Sequence, residues 1–171
     1  GASVSFNAGT PEGYHFMRFE NEQGDTLGLT TPMNLIIVQD TLVVTVYAID
    51  TIEVTLEAEN GEIETDTLRY SWGSEATFTA VAAEHYHFLN WNNDVEEPTL
   101  NVNIYSDTTI TAIFELDTHL VTLPEVEHGM MEGEGYFGWN TIAPIKAIAD
   151  EHYHLVGWSD IEGYNTDLVR N

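Results

Sequence analysis

The pentads Glu12-Gly13-Tyr14-His15-Phe16, Glu84-His85-Tyr86-His87-Phe88 and Glu151-His152-Tyr153-His154-Leu155 are three versions of one phrase. They start at positions 12, 84 and 151, a spacing of 72 and then 67 residues. The tryptophans keep the same register. Trp72 precedes Trp91 by 19 residues, Trp139 precedes Trp158 by 19, and Phe19 takes the place of Trp91 in the first copy. A period of this size predicts a tandem array of small units rather than one large core. The units divide as 1–50, 51–117 and 118–171, and only 51–117 holds a whole copy. The first copy has no counterpart of 51–72, and the third none of roughly 105–115. A unit without an edge strand exposes unpaired backbone groups, so both end units are expected to fray or to be completed by a neighbouring copy or chain.

Apolar residues recur with period 2. In Ile52-Glu53-Val54-Thr55-Leu56-Glu57-Ala58 the aliphatic side chains share one face, and acids and threonine the other. Ala76-Thr77-Phe78-Thr79-Ala80 alternates in the same way, as do Val4-Ser5-Phe6-Asn7-Ala8 and Ala143-Pro144-Ile145-Lys146-Ala147. Ile110, Ala112 and Phe114 form another inward set, matched by Val43, Thr45 and Tyr47. Such runs predict half-buried strands of antiparallel type, and no stretch keeps a helical period. Asn60-Gly61, His128-Gly129 and Trp72-Gly73-Ser74 read as turns. Polar loops follow each Trp or Phe at 20–25, 92–98 and 159–167, and the first is longer by about five residues, which accounts for the spacing of 72. The fold class is therefore all-β, built of tandem small modules. Copies adjoin directly, without a Gly/Ser or Pro-rich linker, which predicts a stiff rod.

Composition narrows the partners. Asp and Glu number 29 against 4 Lys and Arg, for a net charge of −25, and this field repels phosphate backbones and anionic lipid. Nucleic-acid and membrane-surface binding are not expected. There is no cysteine, so neither disulfides nor thiolate chemistry is available. No run of 18 apolar residues occurs and no charged-then-apolar leader opens the sequence. Lys146 is the only lysine, so the complete second copy cannot form a lysine isopeptide cross-link.

The phrase Glu-x-Tyr-His-(Phe or Leu)-x-x-Trp after an alternating strand, with the closing run Asp107-Thr-Thr-Ile-Thr-Ala-Ile-Phe114, resembles the divergent InlB B-repeat family. The resemblance spans nearly all of the chain, in two and a half copies. The first copy departs from it at Phe19 and at Tyr47, which stands for the closing Phe. His85 and His152 stand where the family uses Gly, so the turn there is expected to do without glycine's freedom at positive φ. What the resemblance implies is a bacterial cell-surface or secreted protein of small β-grasp-like modules. These serve as spacers, stalks or adhesion modules, with no catalytic residues and no cofactor to carry over.

Several residues invite a sharper chemistry. Trp72 and Trp139, with Tyr70 and Phe137 beside them, occupy turn-like contexts, where exposed aromatics stack on sugar rings or protein partners. Packing against a neighbouring strand or module is the competing explanation. Host or microbial glycans and surface proteins are the partners this reading suggests, next to neighbouring repeats of the same polypeptide. His85 with His87, and His152 with His154, are i, i+2 pairs that one strand face would present together, a spacing suited to zinc or copper. A closed site needs further ligands, and the first copy keeps only His15. The acidic loops Glu20–Asp25, Asn92–Glu97 and Ser159–Glu162 offer oxygens to calcium but lack a regular ligand order. No carboxylate pair, nucleophile motif or phosphate loop stands out, so no enzymatic activity is expected. Trp91, Trp158, Tyr14, Phe16, Phe78, Phe88 and Phe114 are expected in the core.

Overall fold

The computed structural model describes residues 1–158 and the backbone of 169 and 170. Among the described residues every regular element is a strand and none is a helix. The first unit carries β1 (Ala2–Phe6), β2 (Tyr14–Glu20), β3 (Thr26–Gly28), β4 (Met33–Ile37) and β5 (Val44–Ile49). The second carries β6 (Thr51–Ala58), β7 (Gly61–Glu64), β8 (Arg69–Ser71), β9 (Glu75–Ala82), β10 (Tyr86–Trp91), β11 (Thr99–Asn103) and β12 (Thr108–Leu116). In the third lie β13 (Thr118–Val121), β14 (Gly129–Glu132), β15 (Gly135–Gly138), β16 (Ile145–Ala149) and β17 (Val169–Arg170).

The second unit shows how alternation becomes a core. Its sheets have the orders β10-β12-β6-β8 and β11-β9-β7. Ile52 and Val54 of β6, Ala76, Phe78 and Ala80 of β9, and Ile110 and Ala112 of β12 are the inward members of their strands, and all are buried. Trp91 and Phe78 retain no exposed surface. Each fully buried side chain of this size contributes about 1.5–3 kcal/mol by leaving water. The Trp91 indole N–H, which burial would otherwise orphan, donates to the Glu97 carbonyl at 2.9 Å.

The central pair of the larger sheet is parallel, Thr108 facing Val54 and Ala112 facing Ala58. This corrects the antiparallel expectation for Val54–Ala58, whereas Thr51–Glu53 of the same strand pair antiparallel with β8. Alternation reports which face of a strand is wet and carries no information on the direction of its neighbour. The first and last strands of the unit therefore lie side by side.

A bulge explains the spacing in Phe-x-x-Trp. Residues three apart on a regular strand face opposite sides. Between Phe88 and Asn90 the β10–β12 register shifts, leaving Leu89 unpaired, so Phe88 and Trp91 reach the same core with ring centroids 5.3 Å apart. The first unit repeats the device. Met17 is skipped between Phe16 and Arg18 in the β2–β5 pairing, and Phe16 meets Phe19 at 4.9 Å.

The end units bury less. In the first, Phe19 and Met33 are buried, whereas Tyr14, expected inside, is 40% exposed at the start of β2 and Phe16 is half-buried. Phe88 and Phe114 are half-buried against the second unit's core, and Trp158 is half-buried. No described residue from 118 to 158 is fully buried. The run Ala143-Pro144-Ile145 is not wholly strand, because β16 begins only at Ile145, after the proline that cannot donate to a ladder.

Candidate functional site at the joints between units

Adjacent units are separated by one residue. β5 ends at Ile49 and β6 begins at Thr51, with Asp50 between them; β12 ends at Leu116 and β13 begins at Thr118, with Asp117 between them. Every polar group of these aspartates is engaged in the same way. The Asp50 N–H donates to the Gly13 carbonyl at 2.8 Å, and its own carbonyl accepts from the Trp72 N–H at 2.9 Å. The Asp117 N–H donates to the His85 carbonyl at 2.8 Å, and its carbonyl accepts from the Trp139 N–H at 2.7 Å. Each carboxylate pairs with the Nδ1 of a histidine, Asp50 with His15 at 2.7 Å and Asp117 with His87 at 2.9 Å. One residue thus ties the turn of the preceding unit to the tryptophan-bearing turn of the next.

The turn residues complete the joint. Gly13, His85 and His152 all have left-handed backbones, with φ of 75°, 69° and 71°. The turns at His85 and His152 therefore keep a positive φ, which corrects the expectation that they do without it; His is among the side chains that tolerate this region. At the second joint the His85 ring lies flat on the Trp139 indole, with centroids 3.5 Å apart and planes 9° from parallel. At the first joint Trp72 occupies that space itself. A Cβ added to Gly13 would fall 2.6 Å from Trp72 Cγ and closer still to Cδ2 and Cε3. Trp72 also meets Tyr105 edge-on, at 5.1 Å and 75°.

The other singled-out side chains separate accordingly. Tyr70 is buried in the core, edge-on to Phe78 at 6.1 Å, with its hydroxyl 2.8 Å from Thr65 Oγ1, so it presents no ring face to a ligand. Phe137, its counterpart, pairs with His119 on β15 and is half-buried. Trp72 is half-buried in its joint, and Trp139 keeps 41% of its surface exposed while one face is covered by His85.

His85 and His87 do not form a strand pair. His85 sits in the turn against Trp139, whereas His87 is in β10 against Asp117. His152 is in the equivalent turn, 3.5 Å from Glu151, and His154 lines an apolar cavity. Among the described residues no three His, Asp or Glu side chains converge as a metal site. In the 20–25 loop the acceptors face inward: Asn21 Oδ1 takes the N–H groups of Gln23 and Asp25, and its amide donates to the Asp25 carboxylate. The 92–98 loop is closed by Trp91, whose N–H donates to the Val95 carbonyl. The Ser159–Glu162 candidate lies outside the described residues.

Asp50 and Asp117 were not singled out from sequence. The signal existed, since Asp-Thr recurs at 50–51 and 117–118 at the 67-residue spacing. An aspartate beside a strand reads as solvated until its partners, 22 to 37 residues away, are known.

Fold and joint together define a class: small all-β units strung directly on one another, with a repeated polar and aromatic clasp at each junction. Residues 52–118 match the family model of the divergent InlB B-repeat domain. Repeats of this family are typical of bacterial surface or extracellular proteins. No curated protein and no solved structure matches the chain.

Proposed function

We propose that the chain is a non-enzymatic stalk or spacer segment of a bacterial surface protein, in which the clasps hold successive units in fixed relation. The observation that carries this reading is the repeated bonding of Asp50 and Asp117. A flexible tether would leave these groups to water. A pair of backbone hydrogen bonds and one aromatic stack contribute together about 2–4 kcal/mol. At about 1.4 kcal/mol for each tenfold, the closed joint then outnumbers the open one by roughly 30-fold or more. A fixed joint converts added repeats into reach, and the acidic surface keeps such an array soluble.

The test is a distance distribution across the second joint. The sequence has no cysteine, so single cysteines at the exposed positions Glu62 and Tyr136 accept spin labels cleanly. A single narrow distance peak, broadened by Asp117→Ala, supports the stalk. A broad distribution in the unaltered protein would sink it. Binding on a glycan array that disappears with Trp72→Ala and Trp139→Ala would instead make the joints a recognition surface.

A further inference from the structure

We propose that the second unit holds a groove for strand addition beside the last residues of β12, and that its occupant is an extended segment of a partner protein carrying lysine or arginine. β12 runs to Leu116, but its parallel partner β6 follows it only as far as Ala112, which faces Ala58. The chain leaves the larger sheet there. Asn60 turns it at φ 65°, with its carbonyl accepting from the Ala83 N–H at 3.0 Å. β7 then pairs with β9 of the other sheet, Gly61 facing Ala82. Among the described residues no strand takes over the side of Ile113–Leu116 that β6 has left.

The direction of the backbone groups along this stretch follows from bonds on either side of it. The Thr111 carbonyl accepts from the Asn92 N–H at 3.0 Å, and the Asp117 N–H donates to the His85 carbonyl at 2.8 Å, both towards β10 and its flanks. In an antiparallel ladder the N–H and C=O of one residue point the same way, and those of the next residue point opposite. Glu115, facing His87, therefore bonds towards β10, whereas Phe114 and Leu116 direct their groups to the side without a strand. A cavity of about 720 Å³ opens there, lined by Leu56, Glu57, Glu59, Asn60, Ile113 and Phe114. A half-covered strand beside a groove suits strand addition, in which ladder bonds supply affinity and alternate side chains supply specificity. Charge complementarity selects the occupant. Glu57 and Glu59 are exposed, and Arg69, the one Lys or Arg among residues 51–117, is held near the other end of β6 by Glu53 at 2.8 Å. A side chain of an added strand that falls beside Glu57 or Glu59 meets an acid with no basic partner among the described residues, which favours Lys or Arg there and opposes Asp or Glu. This inference concerns one sheet edge and holds whether or not the joints are stiff.

A capped hexapeptide of alternating lysine and valine, titrated into the full 171-residue protein, tests it. In the free protein the amides of Phe114 and Leu116 are expected to exchange faster than that of Glu115. With free peptide at about ten times its Kd they should slow about tenfold, while Glu115 changes little. The same peptide N-methylated throughout keeps its charge but cannot donate to a ladder, and it is expected not to protect them; nor is a peptide with glutamate in place of lysine. Glu57→Gln combined with Glu59→Gln should weaken the lysine peptide by about two- to tenfold. Slow exchange of Phe114 and Leu116 without peptide would show that side of β12 already paired and overturn the inference. No protection by the lysine peptide, protection centred outside 113–116, or equal protection by the N-methylated peptide, which charge attraction alone would produce, would also overturn it. Equal protection by the glutamate peptide would overturn the cationic occupant.

Discussion

Replacing Gly13 by histidine copies what the other two units already contain, so repeat logic alone predicts a harmless exchange. The joint geometry predicts otherwise. At φ 75° a side chain incurs a left-handed penalty of about 1 kcal/mol that glycine avoids. The new Cβ would also overlap the Trp72 ring, 2.6 Å from Cγ, where ordinary contact needs 3.4–4 Å. The indole must move by about 1 Å or more and give up its edge contact with Tyr105, worth about 0.5–1.5 kcal/mol. Together these weaken the first joint by about 2 kcal/mol, which is about 30-fold in its opening equilibrium. Amide exchange of Asp50 and Trp72, whose N–H groups bond to Gly13 and Asp50, reads that opening directly. Their exchange should accelerate about 30-fold in Gly13→His, while Phe78 in the second unit's core is unchanged. The converse exchange, His85→Gly, relieves about 1 kcal/mol of backbone strain and loses a stack of about 0.5–1.5 kcal/mol, so the Asp117 amide should change less than about threefold. If Gly13→His left Asp50 and Trp72 as protected as before, the claim that the indole occupies the side-chain position at the first joint would be wrong.

Three further outcomes concern the second unit. Phe78→Ala removes a ring with no exposed surface and should destabilise by about 3–5 kcal/mol in urea unfolding, with β9 and β11 losing exchange protection together. Asn60→Gly should stabilise by up to about 1 kcal/mol, because Asn60 holds φ 65° in the β6–β7 turn; a loss of stability on thermal melting would contradict this. Gly61→Ala would place a methyl 2.5 Å from Phe114 Cζ and 2.7 Å from the Val81 carbonyl oxygen. A cost of about 1–3 kcal/mol from overpacking is expected, and a variant as stable as the parent would show that Phe114 has room to withdraw.

What the sequence alone determined was everything local: the period, the strands, and the inward faces bearing Ile52, Val54, Phe78 and Ile110. These follow from residue spacing, because a side chain's face on a strand depends only on its own position along the pleat. Aromatic identity was legible, but aromatic placement was not. Tyr70 reads like Trp72 in a turn context, yet one is core and the other joint, and Tyr14 reads like Phe16 but lies at an exposed strand start.

The tertiary structure decided whatever depended on partners distant in sequence. It set the direction of β6 against β12, the bulges that bring Phe88 and Trp91 to one side, and the opposite duties of His85 and His87. It also drew Asp50 and Asp117 into the clasp. The physical reason is that alternation encodes the division between water and core, whereas pairing and junction contacts come from backbone groups that every residue carries alike. Which of those groups meet is settled only when the units close on one another.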